Sequence, residues 1–388
     1  MTSRQLEHQQ LREIITPARL VRAGDGNYPI LSMTMHSGLV DQAEKFKKRV
    51  ASADTSPYKV VRYNQLVVGF PIDEGVLAFQ RLHDAAIVSP AYDVWDVSDF
   101  TRVDHRYLER FLRSPQACRF YVTKLQGTTA RRRTLPDDIF LSLPVPLPTL
   151  PEQRRIATIL DQAEALRAKR RQALALLDEL AQSVFIEMFG DPVTNPKGWE
   201  RKPISELGRV VTGNTPSRAN AAYYGNAIEW IKSDNLGTAN YYATQASESL
   251  SPEGKHVART APPGSILVTC IAGSPNCIGN SAMIDREVAF NQQINAFTPE
   301  LGNAHFFYGQ IRVGKRLFQA DATSAMKGLL NKSRFEQIEL LTPPLALQEQ
   351  FAQRLTAIER LKSTHRAALA QLDALFASLQ HRAFAGLL

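Results

Sequence analysis

The chain has 388 residues, more than one ordinary domain needs, so roughly two or three domains are expected. Hydrophobic residues make up 44% of it, which excludes an intrinsically disordered chain. The net charge of +8 at pH 7 and a pI near 9.4 favour an anionic partner such as nucleic acid or a membrane surface.

The remaining bulk features favour an intracellular setting. Cys118, Cys270 and Cys277 form no Cys-x-x-Cys pair, so we interpret them as reduced, structural thiols. The N-terminal residues are polar, without the apolar core of a signal peptide, and no apolar run is long enough to cross a bilayer. We therefore expect a cytoplasmic protein without membrane contact.

The first block, residues 1–150, is predicted to be a mixed α/β domain. Short strands are expected at 58–61, 66–69 and 91–97, followed by helix from Tyr107 to Tyr121. A basic loop covers 127–133. The block ends in the extended, proline-rich segment 143–148, which cannot be helical.

The central stretch, residues 151–190, is predicted to be one long helix. Apolar residues recur at steps of three and four, and no Pro or Gly interrupts them between Glu152 and Phe189. Gly190 and Pro192 then form a stop signal. The predicted apolar stripe comprises Ile156, Ile159, Ala163, Leu166, Leu177, Leu180 and Val184.

The second block, residues 191–345, repeats the order of the first. Strands are predicted at 265–268 and between Val288 and Phe297, and a helix at 305–319. A loop at 323–327 and a proline-containing exit at 342–344 follow. The blocks are thus expected to be diverged copies.

A second long helix is predicted at 346–388, at an offset of about 195 residues from the first. The pair Glu152-Gln153 matches Glu349-Gln350, and we predict that the two helices form an intramolecular antiparallel coiled coil. The stripe of the second helix includes Leu355, Ile358, Leu369, Leu372, Phe376 and Leu379.

Polar residues interrupt both stripes near their centres, at Arg170, Lys362 and His365. A polar side chain at a packing position can fix the register of two helices at a cost in stability. The alternative is a long stem that reaches out to water. The sequence leaves both interpretations open.

Several duplicated motifs together resemble the specificity subunit of a type I restriction–modification system. Pro-Leu-Pro-Thr-Leu-Pro-Glu-Gln at 146–153 has a counterpart at 344–350, and Phe-Gly-Asp-Pro occupies 189–192. Gly-Asn-Thr-Pro-Ser at 213–217 and the segments 228–234 and 290–293 resemble parts of a target-recognition domain. In the first block, only residues 28–32 do so.

The resemblance implies a non-catalytic DNA reader with a pseudo-twofold duplication and a role in host defence. Two target-recognition domains would each read half of a bipartite, asymmetric site in double-stranded DNA, separated by the two helices. The helices would dock two methyltransferase (modification) subunits and, through these, restriction/translocase subunits. S-adenosylmethionine would belong to the methyltransferase subunits, and this chain would hold no cofactor and no metal.

No catalytic motif stands out in the sequence. It has no Gly-x4-Gly-Lys phosphate loop, no His-Glu-x-x-His and no clustered His/Cys set. We therefore predict no catalytic residues. Two alternatives remain: a stand-alone DNA-binding regulator or scaffold, and a nuclease with an unrecognised site, which would need clustered carboxylates.

The candidate DNA contacts are basic or small polar residues in predicted loops. Arginine and lysine bind phosphates, and arginine can also pair with guanine. The alternatives are a solvated charged surface and, for Thr and Ser, turn capping. For Asn291 and Gln292 we favour backbone hydrogen bonds over adenine contact. The candidates are Lys45, Lys47, Lys48, Arg49, Arg131, Arg132, Arg133, Thr215, Ser217, Arg218, Lys232, Ser233, Ser274, Asn276 and Lys327.

Overall fold

A computed structural model describes residues 7–35, 38–45, 52, 54–125, 135–237, 240–320 and 328–388. The chain divides into two compact units. Unit 1 comprises Met1–Lys169 and Leu369–Leu388, and unit 2 comprises Arg170–Ala368. Each unit therefore contains one globular block and part of each long helix.

Unit 1 is built from short antiparallel strands and four short helices, completed by the first half of a 40-residue helix, α5. Its elements are β1 His8–Gln10, β2 Ile15–Pro17, β3 Leu31–Thr34, β4 Gly38–Asp41, α1 Gln42–Lys45, β5 Lys59–Arg62, β6 Leu66–Val68, β7 Leu77–Phe79, β8 Ala85–Val88, β9 Asp93–Val97, α2 His105–Leu112, α3 Pro115–Lys124, α4 Asp137–Leu141, β10 Pro144–Pro146 and α5 Leu150–Phe189.

Unit 2 repeats this plan with additional strands and ends within a second 40-residue helix, α11, whose last residues belong to unit 1. Its elements are β11 Arg201–Pro203, α6 Ile204–Leu207, β12 Gly208–Thr212, β13 Tyr224–Ile231, β14 Ser249–Leu250, α7 Pro252–Val257, β15 Thr260–Ala261, β16 Ile266–Thr269, β17 Ile271–Ala272, β18 Ser281–Met283, β19 Val288–Phe290, β20 Ile294–Pro299, α8 Ala304–Val313, α9 Lys315–Ala320, β21 Gly328–Leu329, α10 Lys332–Gln337, β22 Glu339–Leu341 and α11 Leu345–Phe384.

The main sheets of the two units share one topology. Unit 1 has a four-stranded antiparallel sheet in the order β2-β9-β6-β7, and unit 2 has one in the order β12-β20-β16-β18. In both sheets the first strand of the four in chain order lies next to the fourth. A helix, α2 or α8, follows that fourth strand. The common order is direct evidence of an internal duplication.

The strand that begins each unit pairs with the segment that leaves its globular block. β1 pairs antiparallel with β10, and β11 pairs with β22. β10 is only three residues long and carries two prolines, which lack an N–H and are tolerated in such a peripheral strand. The predicted extended exit segments are therefore the closing strands of their blocks.

The long helices α5 and α11 contribute antiparallel partners to each unit. In unit 1, Arg155 lies beside Leu388 and Arg167 beside Asp373, so residue numbers rise in one helix as they fall in the other. The expected mixed α/β fold with two similar domains and two long helices is confirmed. In the described ranges, no helix is long and apolar enough to cross a membrane.

Two positions of the predicted apolar stripe face away from the helix contact. Leu166 is 51% exposed and Leu180 is 46% exposed, so their assignment to the helix packing was wrong. At the level of Leu166 the inward position belongs to Arg167, whose guanidinium lies 4.5 Å from the centroid of the Phe376 ring. Near Leu180, Phe185 is buried instead. Among the other predicted positions, the buried ones are Ile156, Ala163, Leu355, Ile358 and Phe376, and the partly buried ones are Ile159, Leu177, Val184, Leu369, Leu372 and Leu379.

A buried ion cluster lies where α5 and α11 meet in unit 2. The fully buried Lys362 Nζ lies 2.7 Å from Asp178 Oδ1 and 2.6 Å from Glu359 Oε1. Its ammonium is therefore paired with carboxylates inside the helix contact and does not reach out to water. Arg170 is exposed, and its Nη1 lies 3.2 Å from Nδ1 of His365.

Unit 1 carries an equivalent cluster at an offset of 195 residues. Arg167 takes the place of Lys362 and contacts Glu164 and Asp373, with 2.6 Å between its Nε and the Asp373 carboxylate. Both clusters join a basic residue to one acid on its own helix and one on the other. Such pairs need a single register of the two helices to bring the charges together.

The glutamine after each helix start also shows the duplication. Gln153 is buried, and its amide contacts the carbonyls of Arg102 and Pro148, while its Oε1 accepts from the backbone N–H of Asp104. Asp104 is the N-cap of α2.

In unit 2, Gln348 makes two equivalent contacts. Its Nε2 donates to the carbonyl of Pro343, and its Oε1 accepts from the N–H of Asn303, the N-cap of α8. Gln153 is therefore equivalent to Gln348. The sequence-based match of Glu152-Gln153 with Glu349-Gln350 was therefore wrong by two residues.

Candidate nucleic-acid interface

The candidate contacts of unit 2 begin at a loop after β12 that is anchored by Gly213 and Asn214. The N–H of Gly213 donates to the carbonyl of Ile294 at 3.0 Å, and a Cβ built at this glycine would overlap the carbonyl oxygens of Phe290 and Asn291. The position therefore tolerates only glycine. It brings Thr215, Ser217 and Arg218 to the surface.

We expect Gly213→Ala to destabilise unit 2 by about 1–3 kcal/mol, since the added methyl group must displace backbone atoms in a packed site. Thermal unfolding monitored by circular dichroism measures the change. Gly273→Ala is the matched control, because a Cβ at Gly273 meets nothing within 4 Å. Equal midpoints for the two variants would contradict the close approach at Gly213.

Two aromatic rings hold Arg218 in place. Its guanidinium carbon lies 4.6 Å from the ring centroid of Tyr224 and 5.1 Å from that of Trp230. The Tyr224 hydroxyl donates to the carbonyl of Pro216 at 2.8 Å, and Trp230 Nε1 donates to the carbonyl of Asn214 at 3.2 Å. The rings are thus fixed to the same loop that carries the arginine, and cation–π attraction restricts the guanidinium.

Glu248 joins Arg218 to Lys232. Its Oε2 lies 2.7 Å from Arg218 Nη2 and its Oε1 lies 2.8 Å from Lys232 Nζ. Lys232 Nζ also lies 5.2 Å from the centroid of the Trp230 ring. Hydrogen bonds from Lys232 and then Arg218 lower the pKa of the Glu248 carboxyl, so it is ionised at neutral pH.

The segment 291–293 lies against the same loop. Thr215 Oγ1 donates to Gln292 Oε1, and Ser233 Oγ donates to Gln293 Oε1 at 3.1 Å. Asn291 is buried, and its Oδ1 accepts from the N–H of Gln293 at 3.2 Å. A local hydrogen-bonding role for Asn291 therefore fits its position better than a base contact does.

Ser274 and Asn276 are exposed in a turn after β17. The carbonyl of Asn276 accepts from Lys315 Nζ at 2.6 Å, and Lys315 also donates to Asn280 Oδ1 at 2.6 Å. These contacts fix the turn to α9. They do not connect it to the cluster of Arg218, Lys232 and Glu248, so DNA contact at this turn stays a separate prediction.

In unit 1, Lys45 is exposed at the end of α1. The remaining candidates lie outside the residues that the structure describes and stay predictions; they are Lys47, Lys48, Arg49, Arg131, Arg132, Arg133 and Lys327.

The structure adds three residues to the candidate site, Tyr224, Trp230 and Glu248. Trp230 stands in the motif at 228–234, which pointed to this region without naming the ring. Glu248 lies just before β14, and the N–H of Trp230 donates to its carbonyl at 3.0 Å. No sequence motif marks it, because only strand pairing brings it to Arg218 and Lys232.

The three cysteines differ in burial. Burial raises the pKa of the Cys270 thiol to about 12, and burial also raises that of Cys118. Both are therefore protonated thiols at neutral pH, and Cys277 is exposed. Over the ranges that the structure describes, His, Cys, Asp and Glu side chains form no group of three or more that could hold a metal ion.

The duplicated topology and the helix pairing place the chain in the class of two-domain mixed α/β proteins whose domains share two long helices. Residues 196–374 match the family model for the type I restriction modification DNA specificity domain. This part of the chain is similar to that family, and the resemblance drawn from the sequence motifs is confirmed.

A curated relative is the type I restriction enzyme HindI specificity subunit of Haemophilus influenzae. It is 30% identical over 175 residues, which cover 42% of this chain and 36% of the relative. The match therefore spans about a third of the relative's own length.

Two solved structures share the fold over nearly the whole chain. The S subunit of a type I restriction–modification system from M. genitalium is 12% identical, with a TM-score of 0.58, and the match covers 99% of this chain and 98% of the other. A chain from a study of the assembly and conformational transition of the type I R-M system is 16% identical, with a TM-score of 0.58 and full coverage of both chains. At these identities the likeness concerns the fold.

Proposed function

We propose that this chain is the DNA-reading specificity subunit of a type I restriction–modification complex, with one half of a gapped, asymmetric target read by each unit. The observation that carries the proposal is the duplicated domain in a chain whose residues 196–374 are similar to the DNA specificity family. The two copies differ in sequence, so the two half-sites would differ too.

Binding would begin with attraction between basic side chains and DNA phosphates, a term that depends on salt because counterions are released. Sequence readout would then come from side chains that reach base edges. In unit 2 the exposed loop with Thr215, Ser217 and Arg218 supports this mechanism. Its arginine is held by two rings and so loses little conformational freedom on binding.

The partners would be methyltransferase subunits docked on the long helices, with restriction/translocase subunits attached through them. Exposed apolar side chains along α5 and α11 support a protein interface there; they include Leu166, Leu176, Leu180, Ile186, Leu361 and Leu375. The chain itself would be non-catalytic, and S-adenosylmethionine would be bound by the methyltransferase.

Co-purification with the methyltransferase subunit from the same source, followed by selection from random duplexes, tests the proposal. We expect a stable complex that enriches a two-part, gapped, asymmetric motif. Enrichment of a continuous or palindromic site by the chain alone, with no methyltransferase bound, would overturn it in favour of a stand-alone regulator.

Replacement of Arg218 by alanine is expected to weaken binding to the selected duplex by about 1–3 kcal/mol, as loss of a specific arginine contact does. Fluorescence anisotropy of the complex measures the loss. Arg316→Ala is the matched control, because Arg316 is also an exposed arginine paired with one carboxylate, that of Asp191 at 3.1 Å. Equal affinities of both variants and the parent protein would remove Arg218 from the interface.

A further inference from the structure

Three charged side chains of unit 2 share one small exposed surface. The Glu248 carboxylate bridges Arg218 and Lys232, with one oxygen on each cation at 2.7 and 2.8 Å. Trp230 lies beneath both cations, at 5.1 Å from the guanidinium carbon and 5.2 Å from Nζ. Two basic groups on this surface are therefore already paired with a carboxylate of the same chain.

We propose that Glu248 is a specificity-determining residue, which occupies Arg218 and Lys232 in the free protein and so suppresses binding to non-target DNA. The carboxylate stands where a phosphate would otherwise bind. A non-target duplex must compete with it for the two cations. A target duplex adds contacts to base edges that offset this competition, so the carboxylate lowers non-target affinity more than target affinity.

The backbone keeps Glu248 in this position. Its carbonyl accepts from the N–H of Trp230 at 3.0 Å, and Ser249, the next residue, pairs with Glu229 in the β13–β14 ladder. The carboxylate is thus attached to the same strand pair that presents Trp230.

As a purely structural feature, this arrangement would contribute little to folding. The side chains of Arg218 and Glu248 are 55% and 36% exposed, and exposed ion pairs contribute only ~0.2–1 kcal/mol to folding. The Glu248 charge has a larger effect on the electrostatic potential that approaching DNA experiences. Two cations and one anion present a net charge of +1 in place of +2, and non-target binding depends almost entirely on such charges.

The inference rests on the proposed DNA-binding function and is tested with Glu248→Gln in the full chain. Glu287→Gln is the matched control, since Glu287 is also exposed and pairs with Lys255 at 2.7 Å, and both variants add one positive charge. The probes are a random-sequence duplex, the selected duplex and a heparin column. Heparin is a polyanion of sulfates and carboxylates without bases to read.

We expect Glu248→Gln to steepen the slope of log K against log salt for the random duplex by about 0.9 to 1.8, as neutralisation of one or two further phosphates does. It should also elute later from heparin, and its preference for the selected duplex should fall. Glu287→Gln should leave the salt slope and the duplex preference unchanged.

Two results would overturn the inference. One is an unchanged or shallower salt slope with weaker binding to both duplexes, which would make Glu248 a support for Arg218. The other is an equal change in both variants, which would reduce the effect to net charge. If the proposed function is wrong, the parent protein will enrich no gapped motif. The heparin comparison would still measure how the Glu248 carboxylate affects binding to a polyanion.

Discussion

Replacement of Phe189 by alanine is expected to destabilise unit 2 by ~3–5 kcal/mol, the cost of removing a fully buried aromatic ring from a packed core. The Phe189 ring lies 4.9 Å from that of Phe306, 5.1 Å from that of Phe185 and 5.7 Å from that of Phe351. These rings come from α5, α8 and α11, so one cavity would loosen all three helices.

Hydrogen exchange of the full chain measures this effect by region, because a chain with two units is not expected to unfold in one step. Amides of α8 and the adjoining half of α11 should exchange faster in Phe189→Ala. Phe100→Ala is the control, since Phe100 is 46% exposed and should change little. Similar exchange in both variants would show that the ring cluster does not hold unit 2 together.

Replacement of Lys362 by alanine is expected to cost unit 2 up to ~3–5 kcal/mol, because removal of one partner weakens the compensation of a buried ion pair. Asp178 and Glu359 would keep their longer ion pairs, with Arg312 at 4.0 Å and Arg366 at 3.8 Å. The side chain of Lys362 is fully buried, and its two partners, Asp178 and Glu359, are 37% and 11% exposed. Without the ammonium, two carboxylates would face each other across the α5–α11 contact. Chemical denaturation with exchange mapping of α11 measures the loss.

Lys362→Met distinguishes the effect of losing the ammonium charge from the effect of losing side-chain volume. Methionine restores most of the side-chain volume without the charge, so its cost should stay close to that of alanine if the ion cluster dominates. Lys169→Ala is the control for loss of an exposed lysine on α5. A cost for Lys362→Met near that of Lys169→Ala would mean that the cluster contributes no stability.

The duplication and most of the regular elements could be predicted from local sequence. The strand at 66–69 and the one at 265–268 occupy equivalent places as β6 and β16, and the helix starts at Leu150 and Leu345 reproduce the offset of about 195 residues. The periodicity of apolar residues was sufficient to predict these elements because each element buries one continuous face. The helix predicted at 305–319 is divided into α8 and α9 at Gly314.

The helix contact and the candidate site depend on tertiary partners that periodicity does not identify. Arg167 and Lys362 lie inside the contact because acids on the facing helix pair with them. A hydrophobic pattern assigns such positions to water and places Leu166 inside instead. The equivalence of Gln153 with Gln348 became visible only through their shared contact with the N-cap of a neighbouring helix. The position of Glu248 in the candidate site likewise depends on the strand pairing around it.

The division of the chain also determines when each unit can fold during synthesis. Unit 2 is contiguous from Arg170 to Ala368, whereas the core of unit 1 includes Phe376, Ala383 and Phe384. Phe384 packs against Tyr107 and Phe111, at 5.7 and 5.2 Å between ring centroids.

At ~5–20 residues per second, the first block would wait roughly 10 to 45 s between the synthesis of Lys169 and that of the C-terminal segment. During this time its aromatic side chains would lack their partner and would be accessible to chaperones. Unit 2 would be complete only 20 residues earlier, or ~1–4 s, so both units would obtain their last residues at the end of synthesis.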